Sequence, residues 1–271
     1  MVSASPIDLS ILSGRGFQIE FHCHAKAILS VDFPEALTEL QTVLLNVSVP
    51  IEEIIAGGGG EAKGTQRLRK ALNGRNWVKT KFEIKKTINN RERESISHEI
   101  DHVRESASGT IALEIEWNNK DPFFDRDLEN FKRLHADGAI SVGIIVTRGR
   151  TLQEKMRALV RRFVDERQIN SFDGLKAWGY EPTARQRRAI EARINREKNP
   201  LTFREALVDK FVSDKFGEAT THWRKLADRV RRGVGNPCPL LLIGLPETIV
   251  TFNEGKTALD EVLKDEDREE D

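Results

Sequence analysis

Residues 98–127 read HEIDHVRESASGTIALEIEWNNKDPFFDRD and contain the pattern that decides the fold. Over residues 111–117 every second side chain is large and apolar, and the residues between them include Glu114 and Glu116. A period of two predicts a half-buried β-strand, on which side chains two residues apart point to the same face. The two carboxylates are therefore expected side by side, on the face opposite the apolar set.

A second strand is expected just before this one, because residues 106–109 are small and polar and predict a turn. A hairpin at that turn brings Asp101 back beside Glu114, so that three carboxylates, Glu116 included, crowd one end of a sheet. Carboxylates this close repel each other unless a cation neutralises them. The usual cation is a hard divalent ion such as Mg²⁺, which takes oxygen ligands. An exposed polar strand face without function has the same spacing, so the pattern alone leaves both interpretations open.

The wider stretch LEIEWNNKDPFFDRDL at residues 113–128 closely resembles the BglII-like type II restriction endonucleases, in the BamHI/BglII branch of the PD-(D/E)XK superfamily. In that superfamily an Asp, a hairpin and a Glu-x-Glu or Glu-x-Lys pair form the metal site. The resemblance runs over most of residues 15–250. Four further stretches also resemble the family: TQRLR at 65–69, SHEIDH at 97–102, GIIVTRG at 143–149 and PLLLIG at 239–244.

The order of expected strands and helices predicts an α/β fold. The resemblance implies a restriction-endonuclease-like core, in which helices flank a central mixed β-sheet, with helical additions on the C-terminal side. We expect one endonuclease domain over residues 1–253, with its catalytic core at about 80–165 and the helical addition at about 170–235. The tail at 254–271 is acidic and is expected to be flexible.

The resemblance also implies an activity, that of a type II site-specific deoxyribonuclease. Such an enzyme hydrolyses phosphodiesters in palindromic double-stranded DNA and leaves 5′-phosphate ends. The resemblance further implies a homodimer whose subunits each cut one strand, a GATC-containing site with four-base 5′ overhangs, and functional pairing with a cognate DNA methyltransferase. The alternatives are a nuclease of the same fold used outside restriction, and a DNA-binding protein without cleavage.

The catalytic residues are expected among four carboxylates. Asp101, Glu114 and Glu116 are the candidate ligands of Mg²⁺, with Mn²⁺ as a substitute, and Glu116 is alternatively the residue that orients or deprotonates the attacking water. Glu83, on an expected strand, resembles the fourth acidic residue of the family's site, and Glu99 competes with it for that role. The sequence does not decide between these roles, nor between one metal ion and two.

Five residues are candidates for contacts with DNA. Asparagine can pair bidentately with adenine and arginine with guanine in the major groove. Asn118 and Asn119 directly follow the metal strand, and the resemblance places a base-contacting asparagine at Asn119. Arg126 begins the next helix, and Arg148 and Arg150 follow a buried strand. A phosphate contact or an ordinary surface charge is the alternative for each arginine.

A competing motif is His98-Glu-Ile-Asp-His102, which matches the His-Glu-x-x-His signature of zinc metalloproteases. That signature requires a helix, because only a helix turns both histidines toward one zinc ion. The segment is short and polar residues flank it, and no third-ligand motif follows. The endonuclease interpretation also explains the stretch downstream, whereas the protease interpretation does not.

The charges are strongly segregated, although 43 basic and 43 acidic residues cancel over the 271 residues of the chain. Residues 61–94 carry eleven basic against four acidic side chains, and residues 148–232 carry 22 against 12. Between them, residues 99–137 hold five basic and ten acidic side chains. Basic segments on both sides of an acidic metal site suit a phosphodiester substrate, although helical segments often carry excess arginine for no such reason.

The remaining chain predicts a soluble protein, with 38% hydrophobic residues and without a run long enough to span a membrane. Two distant cysteines, Cys23 and Cys238, and the lack of a signal pattern favour reduced thiols and a cytoplasmic location. The expected strands cover residues 17–23, 81–88, 139–146 and 239–243; the expected helices begin near Asp32, Pro50, Thr65, Asp125 or Asp127, and Thr151, with most of 171–234 also helical.

Overall fold

A computed structural model describes residues 9–56 and 62–252, without the side chains of residues 86–88 and 92–96. The tail at 254–271 lies outside this range. In chain order the elements are α1 (Ser10–Gly14), β1 (Gln18–His22), α2 (Ala25–Asp32), α3 (Pro34–Leu45), β2 (Val49–Pro50), α4 (Ile51–Ile55), α5 (Lys63–Asn73), β3 (Val78–Ile88), β4 (Arg91–Ser106), β5 (Gly109–Glu116), α6 (Phe123–Ala136), β6 (Val142–Arg148), α7 (Arg150–Glu166), α8 (Phe172–Lys176), α9 (Ala184–Ile194), α10 (Phe203–Lys215), α11 (Trp223–Arg231), β7 (Leu240–Leu245) and β8 (Val250–Thr251).

The elements group into two compact units, each assembled from separate pieces of chain. The first unit contains the main sheet and α11, and the second contains α8 to α10 and most of α7. The expected single domain over 1–253 stays a prediction. The first unit comprises Met1–Val47, Thr65–Arg150 and Thr221–Pro246. The second comprises Ser48–Gly64, Thr151–Thr220 and Glu247–Asp271.

The first unit is built on a six-stranded mixed sheet in the order β1-β7-β6-β5-β4-β3. The three central strands β7, β6 and β5 run parallel, and β1, β4 and β3 pair antiparallel to their neighbours. Every residue of β6 and β7 is buried, as expected for parallel strands covered on both faces. The predicted α/β fold with a central mixed sheet and flanking helices is confirmed.

The predicted hairpin joins β4 to β5. It closes at the pair Ser106–Gly109, and its register runs to His102 opposite Leu113. Gly109 has a φ of 136°, and a Cβ at that position would lie 2.4 Å from Ser141 Oγ. Glycine therefore permits both the backbone conformation and the close approach of the turn. This hairpin sets which residues of the two strands lie opposite each other at the functional end of the sheet.

Helix α6 packs its apolar face on the sheet. Phe124, Leu128 and Phe131, spaced as one face of a helix, are completely buried in the core of the first unit. The Phe131 ring lies so close to Gly143 of β6 that a Cβ there would be 2.4 Å from a ring carbon. The close packing fixes the helix against β6 and hence the direction in which its buried side chains point.

The second unit is mainly helical. Helices α9 and α10 each begin with a capping box, at Thr183 and Thr202, in which the threonine side chain and the third helical residue bond reciprocally. The Phe163 and Trp178 rings pack edge to face with centroids 5.0 Å apart. The short strands β2 and β8 pair in parallel within this unit.

Most predicted elements are confirmed, with small shifts at their ends. The predicted strands at 17–23, 81–88, 139–146 and 239–243 are β1, β3, β6 and β7. The predicted cap Asp32 is instead the last residue of α2, and α3 begins after Phe33, which makes no side-chain capping bond. Thr151 lies inside α7 and does not cap it. Within the described ranges, every helix is too short or too polar to traverse a lipid bilayer.

Candidate active site

Two carboxylates from β5 form the base of the candidate site. Glu114 and Glu116 are 5% and 3% exposed, and they share one face of the strand because their side chains are two residues apart. The β5 backbone is held beside β6, where Thr147 Oγ1 donates to the Glu116 carbonyl at 2.7 Å. The sequence predicted that these side chains share the face opposite the apolar set of a half-buried strand, whereas both faces of β5 are buried from Ile111 onward.

Asp101 approaches the pair from β4. The paired register of the hairpin ends at His102–Leu113, and Asp101 and Glu114 are the next residues on the two strands. The charge of Asp101 acts on the Glu114 carboxyl. The pairing with β3 shifts at this point, which indicates a β-bulge, a feature that commonly re-aims a side chain near active sites. The Asp101 side chain is 53% exposed, and Lys79 Nζ lies 3.9 Å away. Asp101 therefore lies at the exposed edge of the acidic cluster.

A fourth carboxylate, Asp127 of α6, was not among the predicted site residues. It is 1% exposed and lies on the same helical face as Phe124, Leu128 and Phe131. Its Oδ2 atom is buried. When both Glu116 and Asp127 are ionised, this atom has no hydrogen-bond partner among the described residues. The sequence did contain an indication of this site, because Asp127 occupies a position on the apolar face of an amphipathic helix. A charged residue is rarely buried there without a partner or a function.

The three buried carboxyls, Glu114, Glu116 and Asp127, all have raised pKa values. Burial raises the pKa of Glu114 well above its usual value, and the charges of Asp127, Asp101 and Glu116 raise it further. Burial and the charge of Asp127 raise the pKa of Glu116 to about 8, against the hydrogen bond from Asn119. Burial also raises the pKa of Asp127, although neighbouring Arg126 opposes the shift. Without a bound cation, the raised pKa values favour the protonated, neutral form of these buried carboxyls, because the surroundings supply too little positive charge to keep all of them ionised.

Arg126, a predicted DNA contact, lies against these acids. Its Nη2 is 2.7 Å from Asp127 Oδ1 and 3.6 Å from Glu116 Oε1. Its guanidinium also lies 4.4 Å from the centroid of the Phe123 ring. In this conformation the side chain belongs to the acidic cluster, which we call the Glu114 cluster: Asp101, Glu114, Glu116 and Asp127.

The loop after β5 carries the two predicted base-reading asparagines. Asn119 Nδ2 donates to Glu116 Oε2 at 2.8 Å, so this residue contacts the cluster directly. Asn118 is half-buried. The Asn119 carbonyl accepts a hydrogen bond from Thr221 N at 2.8 Å. Asn119 is thus held through both its backbone carbonyl and its side chain.

Arg148 contributes to the same loop from the inside. Its side chain is completely buried, and it donates to the Trp117 carbonyl at 2.7 Å and to the Thr221 carbonyl at 2.6 Å. Burial lowers its pKa to about 9. The arginine is an internal tie of the fold, and in this conformation its guanidinium cannot reach DNA. Arg150, the neighbouring candidate, is exposed and begins α7.

The structure does not bring Glu83 into the Glu114 cluster. Glu83 is half-exposed on β3 and pairs with Lys81 at 2.7 Å, and its neighbours Phe82 and Ile84 pack on the core from the opposite face. Glu99 lies closer, with Lys79 2.6 Å from its carboxylate. Because Glu99 is exposed and already paired, Asp127 is the better placed fourth acid.

The zinc-protease alternative is contradicted by the fold. His98 and His102 lie on strand β4, not on a helix. Residues four apart on a strand are separated by about 13 Å, so these histidines cannot share one zinc ion. His102 is buried, and desolvation lowers its pKa to about 4.

The donor set of the cluster suits a hard divalent cation. It consists of carboxylate oxygens, which Mg²⁺ and Mn²⁺ prefer. These include Asp127 Oδ2, which has no hydrogen-bond donor among the described residues when Glu116 is ionised. In the described ranges, however, no group of three or more His, Cys, Asp and Glu side chains is arranged to hold a metal ion as it stands. The chemistry of the donors fits such an ion, whereas their present arrangement is not that of a metal site.

Comparison with known proteins adds the family. Among curated proteins, no sequence matches this chain. A family model described as restriction endonuclease BglII/BglIII matches residues 17–245, from the start of β1 to the end of β7. The match includes all residues of the Glu114 cluster and the whole of the six-stranded sheet. The chain therefore belongs to the BglII/BglIII family of restriction endonucleases.

Proposed function

We propose that this type II site-specific deoxyribonuclease is metal-dependent and that the Glu114 cluster is its catalytic centre. Asp101 and Glu114 would hold a divalent cation, Mg²⁺ in the cell with Mn²⁺ as a substitute. The observation that carries the proposal is the burial of three carboxyls, Glu114, Glu116 and Asp127, with the Arg126 guanidinium against two of them. Buried carboxyls this close together can all ionise only where a cation compensates their charge, and otherwise they retain protons.

The residues divide the work of phosphodiester hydrolysis. When bound, a divalent cation neutralises charge on the phosphate and acidifies the attacking water. Asp101, at the exposed edge, and Glu114, in the interior, supply oxygens from two strands whose register is fixed by the hairpin. Asn119 holds the Glu116 carboxyl in place through its hydrogen bond, whether Glu116 serves as a further ligand or as the proton acceptor.

Sequence readout is proposed for the surface beside the cluster. Asn118, Asn119 and Arg150 are the candidates for base or phosphate contacts, and Arg126 joins them if its guanidinium leaves the acids. The target is proposed to be a palindrome containing GATC, cut to four-base 5′ overhangs by a homodimer. A DNA substrate of this kind also supports a cytoplasmic location and functional pairing with a cognate methyltransferase that protects the host site.

The experiment is digestion of a sequenced plasmid with Mg²⁺, followed by mapping of the cut ends. The proposal expects discrete bands whose ends share one palindrome, and no cutting in EDTA. Glu114→Gln should reduce cleavage at least about a thousandfold while DNA binding is retained, because a metal ligand is lost without a change of shape. A smear would contradict site specificity, and full cleavage by Glu114→Gln would remove Glu114 from the site.

A matched control is Glu83→Gln, which removes an exposed carboxylate from the same sheet. It should cut like the wild type. Equal losses in both variants would show that the effect of Glu114→Gln does not come from the Glu114 cluster.

A further inference from the structure

We propose that Arg126 is a built-in counter-ion of the Glu114 cluster, and that a divalent cation has to displace its guanidinium in order to bind. The inference rests on the proposed metal site and deepens it. It assigns to Arg126 a role before DNA is bound, namely to keep the acids neutralised and to set how tightly the free protein holds a metal ion.

The position of the guanidinium supports this role. Arg126 Nε and Nη2 both lie within 2.8 Å of Asp127 Oδ1, and Nη2 is 3.6 Å from Glu116 Oε1. The arginine side chain is 53% exposed, whereas those of Glu116 and Asp127 are 4% and 1% exposed. The guanidinium thus lies between the two buried carboxylates and solvent.

The charges explain why an arginine and a metal ion compete. Glu114, Glu116 and Asp127 are buried, and one guanidinium supplies a single positive charge to them. A second cation, Lys79, is engaged with Glu99 at 2.6 Å and lies toward Asp101. A divalent ion would bring two charges to the same oxygens, and like charges a few ångströms apart repel strongly in a poorly solvated site.

The Arg126 side chain can also leave the acids without a change in the fold. Its side chain is half-exposed at the start of α6, and the Phe123 ring, 36% exposed, lies 4.4 Å from the guanidinium carbon. Rotation of the arginine side chain can therefore move the charge into solvent while Phe124 and Leu128 keep the helix packed. The freed planar donors would then be available to the DNA.

The test is a titration of the DNA-free protein with Mn²⁺ alone, in which electron paramagnetic resonance counts the free ion. Arg126→Gln should bind Mn²⁺ at least about tenfold more tightly than the wild type, because the competing charge is gone. Arg126→Lys, which keeps the charge, should stay within about threefold of the wild type. Arg133→Gln is the matched control, since Arg133 lies on the same helix, is equally exposed and pairs with Glu129.

The outcomes separate the inference from the proposed function. Suppose that the wild type binds Mn²⁺ and Glu114→Gln does not, but Arg126→Gln binds Mn²⁺ no more tightly than the wild type. This result would overturn the inference and leave the proposed metal site intact. The absence of any Glu114-dependent site in the wild type and in Arg126→Gln would contradict both. Tighter binding in Arg133→Gln as well would show a general charge effect and would likewise overturn the role of Arg126. Circular dichroism of each variant verifies that it is folded.

Discussion

At the scale of single residues, the Glu116 carboxyl makes the free energy of unfolding of the metal-free protein depend on pH. Its pKa is raised from 4.5 to about 8 in the folded protein, so between these values the folded state binds more protons than the unfolded state. Stability contributed by the protonated form is complete below about pH 4.5 and is lost as the pH rises through about 8. The same window is where a divalent cation should become most stabilising.

The prediction compares the wild type with Glu116→Gln in EDTA. The two should be similarly stable at pH 5, and at pH 8.5 the variant should be more stable by about 1–3 kcal/mol, since one pKa unit is worth about 1.4 kcal/mol and Asp127 shares the effect. Urea unfolding across this range measures it. A stability difference that does not change with pH would contradict the raised pKa.

The residue scale also shows what could be read from the sequence. The alternation around Glu114 and Glu116 and the turn before it were enough to place Asp101 beside them, because strand pairing follows from local pattern. Asp127 and Arg148 were missed or misassigned for a common reason. Whether a charged side chain on a helix or at a strand end points inward depends on tertiary packing. The spacing of apolar residues in the local sequence does not predict that direction.

At the scale of elements, the ends of β5 and β6 are tied together by Arg148. Arg148→Met leaves the carbonyls of Trp117 and Thr221 without their donor, and an unsatisfied buried group costs about 1–3 kcal/mol. We expect a lower melting temperature, and also a loss of cleavage at temperatures where the variant is folded, because the Asn119 loop is released. Thermal melting and kcat against KM on a plasmid substrate measure both.

The matched control is Arg104→Met. Arg104 lies on β4 and pairs with Glu39 at 2.9 Å. Its hydrogen bonds within the described residues go to Glu39 and to the Glu105 carbonyl, not to the asparagine loop. It should lose stability but keep cleavage when folded. Equal catalytic losses in the two variants would show that Arg148 acts through stability alone.

The packing of α6 on β6 is a second element-scale prediction. Gly143→Ala places a Cβ 2.4 Å from the Phe131 ring, and overpacking of this kind typically costs about 1–3 kcal/mol. Adding Phe131→Leu should recover part of the loss, because a smaller side chain opens the space. Urea denaturation of the single and double variants measures the coupling, and strictly additive effects would contradict the proposed clash.

Most elements were predictable, and the exceptions have physical reasons. The buried runs of β6 and β7 and the apolar stripe of α6 produce clear periods. Strand β4 does not, since its first half is mostly charged and polar residues without alternating apolar positions, although it pairs with neighbouring β3 across a two-residue turn. For the same reason the motif at His98 looked compatible with a helix, although it lies on a strand.

At the scale of the whole molecule, the net charge is zero, although residues 61–94 and 148–232 are basic and the sequence between them is acidic.

If two subunits each cut one DNA strand, a dimer with one inactive subunit should nick a circular plasmid and not linearise it. Mixing the wild type with Glu114→Gln, after exchange of subunits, should therefore give nicked circular plasmid on a gel. Linear product alone, in proportion to the wild-type fraction, would contradict a dimer with one active site per strand.

The most direct measurement of the central claim is anomalous diffraction from a crystal of the protein with Mn²⁺. The account predicts an anomalous peak within about 2.5 Å of carboxylate oxygens of Asp101 and Glu114, with the Arg126 guanidinium moved away from Glu116. A fully occupied peak elsewhere, with Asp101 and Glu114 left without an ion at saturating Mn²⁺, would contradict it.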